Sequence, residues 1–184
     1  LPLDVALIQV APPDERGMCS LGISVDIVSS AAENAGLVIA QVNPNMPRTL
    51  GDSFLHVHDV DLLVPVEEPL FEVHPPKPTE VTRRIGQHIA SLVEDGSTIE
   101  VGIGRIPQAV LEFLSDKQDL GIHTEMFTDH IIDLVEAGVI TNARKSLDRG
   151  KAVASFCLGT QKLYDYVHNN EKFSFHPTEY VNDP

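Results

Sequence analysis

Short apolar runs, each closed by proline or glycine, alternate along this chain with stretches whose apolar residues recur at helical spacing. Val5-Ala6-Leu7-Ile8-Gln9-Val10 is one such run, stopped by Ala11-Pro12-Pro13; it reads as a buried strand. A helix is expected from a cap at Ser24 or Asp26 to about residue 35, with Ile27, Val28 and Ala31 on one face and Gly36 as its C-terminal cap. Residues 37–42 form a second buried strand. Strand, helix and strand so close together predict an α/β layered fold with mostly parallel sheets.

The alternation continues. Residues 54–58 and 62–66 read as strands, and residues 14–22 as a glycine-punctuated loop. Between residues 67 and 78 lie four prolines and no helical period, which predicts a linker. The chain therefore divides into residues 1–76 and 77–184. In the second part, Thr79 caps a helix to about residue 95, with Val81, Ile85, Ile89, Leu92 and Val93 expected to face the core. A strand over 98–101 runs into Gly102-Ile103-Gly104, and Pro107 is expected to start a helix to residue 114. Further strands are expected at 120–124, 152–158 and 173–175, with helices at 129–137 and 160–167.

Composition narrows the function. Thirteen Lys and Arg stand against 27 Asp and Glu, a net charge of −14. That excludes a binder that neutralises nucleic-acid phosphates. No apolar run reaches the length of a membrane span. Two cysteines, Cys19 and Cys157, point to a reducing, cytoplasmic setting without a disulfide framework. The sequence starts at Leu1, almost inside a core strand, and so is expected to be a fragment of a longer protein.

Two segments carry candidate chemistry. Gly102-Ile103-Gly104-Arg105-Ile106-Pro107 joins a strand to a helix, where glycines let a ligand approach the backbone and the helix start favours an anion. A plain tight turn is the alternative, since Pro107 stands where a dinucleotide fingerprint needs its third glycine. Glu125, in His123-Thr124-Glu125-Met126, is expected at a strand's end beside a new helix. It is either an active-site carboxylate or a first-turn acid near a helix start.

The remaining motifs are weaker. His56, His58 and Asp61 look like metal ligands, but no CxxC or HExxH accompanies them, so no metal is assigned. Cys157 reads as a packed core thiol, and Cys19 has no partner that would make it a nucleophile. Ser20 lacks the GxSxG spacing of a hydrolase elbow.

In combination these segments resemble the acetyl-CoA hydrolase/transferase family, in particular its 4-hydroxybutyrate and butyrate CoA-transferases. The resemblance is carried by Ala11-Pro12-Pro13-Asp14, Gly17 and Ser20-Leu21-Gly22, then by Asn43, Met46-Pro47-Arg48-Thr49 and Gly51. It continues through Gly102-Ile103-Gly104 with Ile106-Pro107, His123-Thr124-Glu125-Met126 and Asp133-Leu134-Val135-Glu136-Ala137-Gly138, and ends in Tyr180-Val181-Asn182-Asp183-Pro184. It spans the whole chain.

The resemblance implies two Rossmann-like CoA-transferase halves. Residues 1–76 would be the end of the N-terminal domain plus a linker, and 77–184 the start of the C-terminal domain. It also implies further chain on both sides, with a glycine-rich loop downstream, so this stretch alone is expected to be inactive. Glu125 would be the nucleophile, passing through a mixed anhydride to a glutamyl-CoA thioester. Val101, Gly102, Ile103, Gly104, Arg105 and Ile106 would bind coenzyme A, a substrate and not a tightly held cofactor. Its partners would be acyl-CoA and small carboxylic acids, with no nucleic acid or membrane, and family members often form homo-oligomers. Asn182 is a weaker candidate near the thioester, and residues 43–49 for a wall of the acyl pocket. Hydrolysis of acyl-CoA, or CoA binding without catalysis, are the alternatives; acetate, butyrate and 4-hydroxybutyrate all stand as acyl groups.

Overall fold

A computed structural model of the chain describes residues 2–74 and 77–183. The domain boundary expected at 76/77 adjoins Pro75 and Pro76, which lie outside the described residues. The first half contains β1 (Ala6–Val10), β2 (Met18–Ser20), α1 (Val28–Glu33), β3 (Val38–Val42), β4 (Phe54–His56) and β5 (Leu62–Pro65). The second contains α2 (Glu80–Ala90), β6 (Thr98–Ile99), α3 (Arg105–Glu112), β7 (Gly121–Phe127), α4 (Asp129–Glu136), β8 (Ala152–Cys157), α5 (Gln161–Val167), β9 (Phe173–Phe175) and α6 (Thr178–Val181).

β1, β3 and β5 form a parallel sheet in the order β1-β3-β5, and β6-β7-β8-β9 form a second parallel sheet. β2 and β4 make a small antiparallel pair. The mostly parallel α/β architecture read from the alternation is the one observed. In the second sheet sequence neighbours are spatial neighbours, because each strand is followed by a helical crossover.

First-half residues close the far edge of that sheet. Leu50 accepts a hydrogen bond from the Phe175 N–H at 2.7 Å, and Gly51 bridges Phe175. Beyond β9 the segment around Ser24 takes over the edge of β8: Cys157 N–H donates to the Ile23 carbonyl at 2.9 Å and Val25 N–H to Ser155 at 3.2 Å. One apolar core runs through both halves, from Val10 and Leu21 to Ile122 and Phe175. Phe127 meets Phe173 and Phe175 edge to face at 5.1 and 5.4 Å.

Several local expectations are corrected. The helix expected from Ser24 begins at Val28, because Ser24 pairs with β8. Gly36 is not its left-handed cap; its N–H donates to the Leu3 carbonyl. The loop expected at 14–22 contains β2, too short for a readable period. The 54–58 strand stops at His56, whose Nδ1 accepts from the His58 N–H and starts a 3-10 turn over Val57–Asp59. α3 begins at Arg105, with Pro107 inside its first turn, where its missing N–H costs nothing.

The largest correction concerns α2. It ends at Ala90, and Val81, Ile85, Ile89 and Leu92 are exposed, while Val93 is half-buried. The helix buries Gly86 and Ala90 instead. A Cβ on Gly86 would come within 2.7 Å of the Ala109 carbonyl, so the absent side chain lets α2 and α3 cross closely.

Candidate active site

Glu125 lies in β7, a strand that continues to Phe127 and does not end at Thr124 as expected. Its neighbours Thr124 and Met126 are buried and Glu125 itself is exposed. A strand that is otherwise nearly all covered therefore opens one carboxylate to solvent. β7 is an interior strand: β6 pairs with its start at Gly121 and Ile122, and β8 pairs with it on both sides of Glu125, at His123, Thr124, Met126 and Phe127.

The glycine loop is tied to the residue next door. β6 pairs with β7 only at Thr98 and Ile99. The ladder is then replaced by a side chain: the Thr124 hydroxyl accepts from the Val101 N–H at 3.0 Å and donates to the Val101 carbonyl at 3.1 Å. Both backbone groups of Val101 are thereby satisfied by one hydroxyl, and the chain is free to leave the sheet at Gly102.

The two glycines differ. Gly104 has φ 129° and ψ −179°, a conformation open only to glycine, and caps α3. Gly102 has ordinary backbone, and a Cβ placed there meets nothing closer than Pro107 Cγ at 3.9 Å. Ile103 is 70% exposed. Arg105 and Ile106 form the first turn of α3. Behind the loop an apolar cavity of about 240 Å³ is lined by Val101, Gly102, Ile106 and Pro107 with Ile89 and Val93. Val101, Gly102, Ile103, Gly104, Arg105 and Ile106 thus form one continuous loop and helix start, tied to β7 through Thr124, the residue that precedes Glu125.

On the other flank, His123 Nε2 lies 3.1 Å from the carbonyl of Val181, the last residue of α6, and Asn182 is the C-cap of that helix. Sequence reasoning passed over Thr124 and His123. The only signal for Thr124 is a polar, β-branched residue within a buried strand; nothing in the spacing points from His123 to residue 181.

Other singled-out residues have structural employment. His56 Nδ1 accepts from the His58 N–H at 3.1 Å, and its Nε2 is 3.0 Å from the Arg16 carbonyl, so both ring nitrogens are engaged. Asp61 accepts from the Val38 N–H at 2.8 Å. Among the described residues no group of three or more His, Cys, Asp or Glu could hold a metal. Cys157 is buried, and burial pushes its thiol well above the usual range. Burial, with Asp14 adding to it, also raises the Cys19 thiol.

The Ser20 hydroxyl is enclosed, accepting from the N–H groups of Gly22 at 3.1 Å and Thr49 at 3.0 Å. The Thr49 hydroxyl donates to the Gly22 carbonyl at 2.8 Å. Arg48 pairs with Asp14 at 2.8 Å and stacks over Phe54. These residues, which carry much of the sequence resemblance, weld two loops together.

The family model for the acetyl-CoA hydrolase/transferase N-terminal domain matches residues 2–73. The chain is 55% identical over 184 residues to a 4-hydroxybutyrate coenzyme A transferase of Clostridium kluyveri, matching 100% of this chain and 43% of that protein. It is 39% identical over 187 residues to a butyryl-CoA:acetate CoA-transferase of Anaerostipes caccae, covering 98% of this chain and 42% of the relative. Among solved structures, the 4-hydroxybutyrate CoA-transferase of Porphyromonas gingivalis superposes with a TM-score of 0.96 at 44% identity, covering 100% of this chain and 47% of the other. The chain spans less than half the length of the relatives it matches.

Proposed function

Because this chain belongs to the acetyl-CoA hydrolase/transferase family, we propose that the protein carrying it moves coenzyme A between a short-chain acyl-CoA and a free carboxylic acid, with Glu125 as nucleophile. The observation that carries this reading is the Thr124 hydroxyl, which fastens the glycine loop to β7 at the residue preceding Glu125. A CoA thioester lying along the loop would bring its carbonyl to the exposed carboxylate.

The chemistry balances without an external energy source. The Glu125 carboxylate attacks the thioester carbonyl, the C–S bond breaks, and CoA leaves as thiolate, giving a mixed anhydride. The thiolate then attacks the γ-carbonyl of Glu125. The acyl group departs as a carboxylate with one oxygen from Glu125, and a glutamyl-CoA thioester remains. A second carboxylate reverses both steps and regains the CoA. Gly102 and Gly104 leave the backbone open to the pantetheine arm, and the apolar cavity beside them suits its uncharged portion. Arg105, at the first turn of α3, supplies a positive charge for an anionic part of CoA. The relatives named as 4-hydroxybutyrate and butyrate enzymes support a short-chain acyl group. We place the domain boundary at the proline segment and the protein in the cytoplasm as a homo-oligomer.

Mass spectrometry tests the nucleophile. Protein of the relatives' full length is mixed with acyl-CoA, digested and searched for a CoA adduct. Wild type should carry it on Glu125, and Glu125→Gln should carry none while keeping its fold. Glu125→Asp withdraws the carboxylate by about 1.5 Å, and transfer should fall on the order of a hundredfold. An adduct on another carboxylate would refute the assignment. Loss of acyl-CoA that does not depend on added acid would favour hydrolysis.

A further inference from the structure

We infer that His123 is a positioning residue for the reaction at Glu125: its imidazole holds the C-terminal end of α6 against the strand face that bears the carboxylate. This rests on the CoA-transfer reading above. The Val181 carbonyl can only accept, so the 3.1 Å contact requires the proton on His123 Nε2. Side chains two apart on a strand share a face, so His123 and Glu125 stand on one side of β7, about 7 Å apart along it.

α6 cannot hold itself in place. It has four residues, well below the length at which a helix is stable alone. Its first end is fixed from the other half of the molecule: Thr178 N–H donates to the Asp26 carbonyl at 2.9 Å, and the Ser30 hydroxyl donates to Glu179. Its second end has two side-chain ties. The Tyr180 hydroxyl donates to Asp148 at 2.8 Å, and His123 donates to Val181. The Tyr180 ring stacks on His176 with centroids 4.4 Å apart and lies 6.3 Å from that of His123. The rings restrain α6 laterally and the Val181 side chain is buried beneath it; the His123 bond ties its last carbonyl to β7. Without that bond the terminal turn, with Asn182 as its cap, can move relative to Glu125. A displacement near 1 Å costs on the order of a hundredfold in rate when it misaligns reacting groups.

The test uses protein of the relatives' full length and three variants. His123→Phe keeps the ring volume and removes the donor. His123→Gln returns an N–H at about the reach of Nε2, and His123→Asn returns a shorter one that falls short of Val181. With His123→Phe and His123→Asn, kcat should fall at least about tenfold, KM for acyl-CoA should change little, and amides of 178–183 should exchange faster. His123→Gln should recover most of the rate and the protection. An unchanged kcat in His123→Phe and His123→Asn, or a loss that His123→Gln fails to recover while α6 regains protection, overturns the role. Wild type that forms no CoA adduct on Glu125 overturns the transfer reading, and this role with it. Wild type with the adduct and variants of equal kcat overturn the role alone.

Discussion

In the four-stranded sheet Ile122, Val153 and Phe175 are fully buried, whereas in the three-stranded sheet Leu7 is 78% exposed and all four residues of β5 are exposed. Both sheets are parallel and both come from apolar runs that read alike. They differ in cover. α3, α4 and α5 connect the strands of the second sheet in succession, and α6 lies on β7 and β8. Among the described residues, the first sheet's strands are linked by the short α1 between β1 and β3 and by one 3-10 turn before β5. An apolar run thus reports that a strand can be buried, and its surroundings decide whether it is. α2 teaches the same from the helix side, with its longest apolar stripe exposed and its contact made through Gly86 and Ala90.

The seam joining the two regions should be the most sensitive place to break them. Gly51 has φ 110°, and a Cβ there would lie 2.4 Å from the Phe175 carbonyl oxygen. Gly51→Val should destabilise by about 4 kcal/mol or more, since a backbone clash and left-handed strain coincide. Urea unfolding reads this directly; a loss under about 1 kcal/mol would mean that β9 needs no first-half strap.

Truncation within each sheet sharpens the contrast. Ile122→Ala should cost about 3 kcal/mol, the range for a closed core site. Leu7→Ala should cost under about 0.5 kcal/mol, because its side chain already faces water. Equal losses at the two sites would contradict the difference in cover.

Lys145 adds a pH test confined to the second region. It is buried, its ammonium donating to the carbonyls of Ile122 at 2.9 Å and Lys151 at 2.7 Å. Burial lowers its pKa to about 8, with Asp148 opposing. Below pH 8 the lysine is protonated in both folded and unfolded chains. Between about 8 and the free value of 10.5 the unfolded chain holds more protons, so this group adds stability as pH rises. The gain should approach about 3 kcal/mol by pH 10.5. Comparing unfolding at pH 7.5 and 10 with that of Lys145→Met, which should lack this rise, isolates it.

The smallest expected effects separate the glycines of the candidate site. Gly104→Ala should destabilise by about 1–2 kcal/mol through backbone strain alone. Gly102→Ala should leave stability within about 0.5 kcal/mol. Any loss of CoA binding in Gly102→Ala therefore reports ligand approach, and calorimetric titration with CoA measures it. Unchanged affinity would make the loop a plain turn.

The sequence by itself determined the α/β alternation, most strand positions, the strand-to-helix glycine turn and the candidacy of Glu125. These depend on neighbours within a few residues: apolar runs, caps and turn residues are local physics. Its limits are equally local. That β7 runs two residues past Glu125, that Thr124 ties the glycine loop to it and that His123 meets Val181 were decided by the tertiary structure. So were the exposed stripe of α2 and the existence of α6, a four-residue helix with too little length to show a period. The reason is physical. A hydrogen bond spanning 58 residues, such as that of His123 with Val181, leaves no mark on the spacing around either end. Apolar periodicity names the face that would gain from burial, and only the packed neighbours supply it.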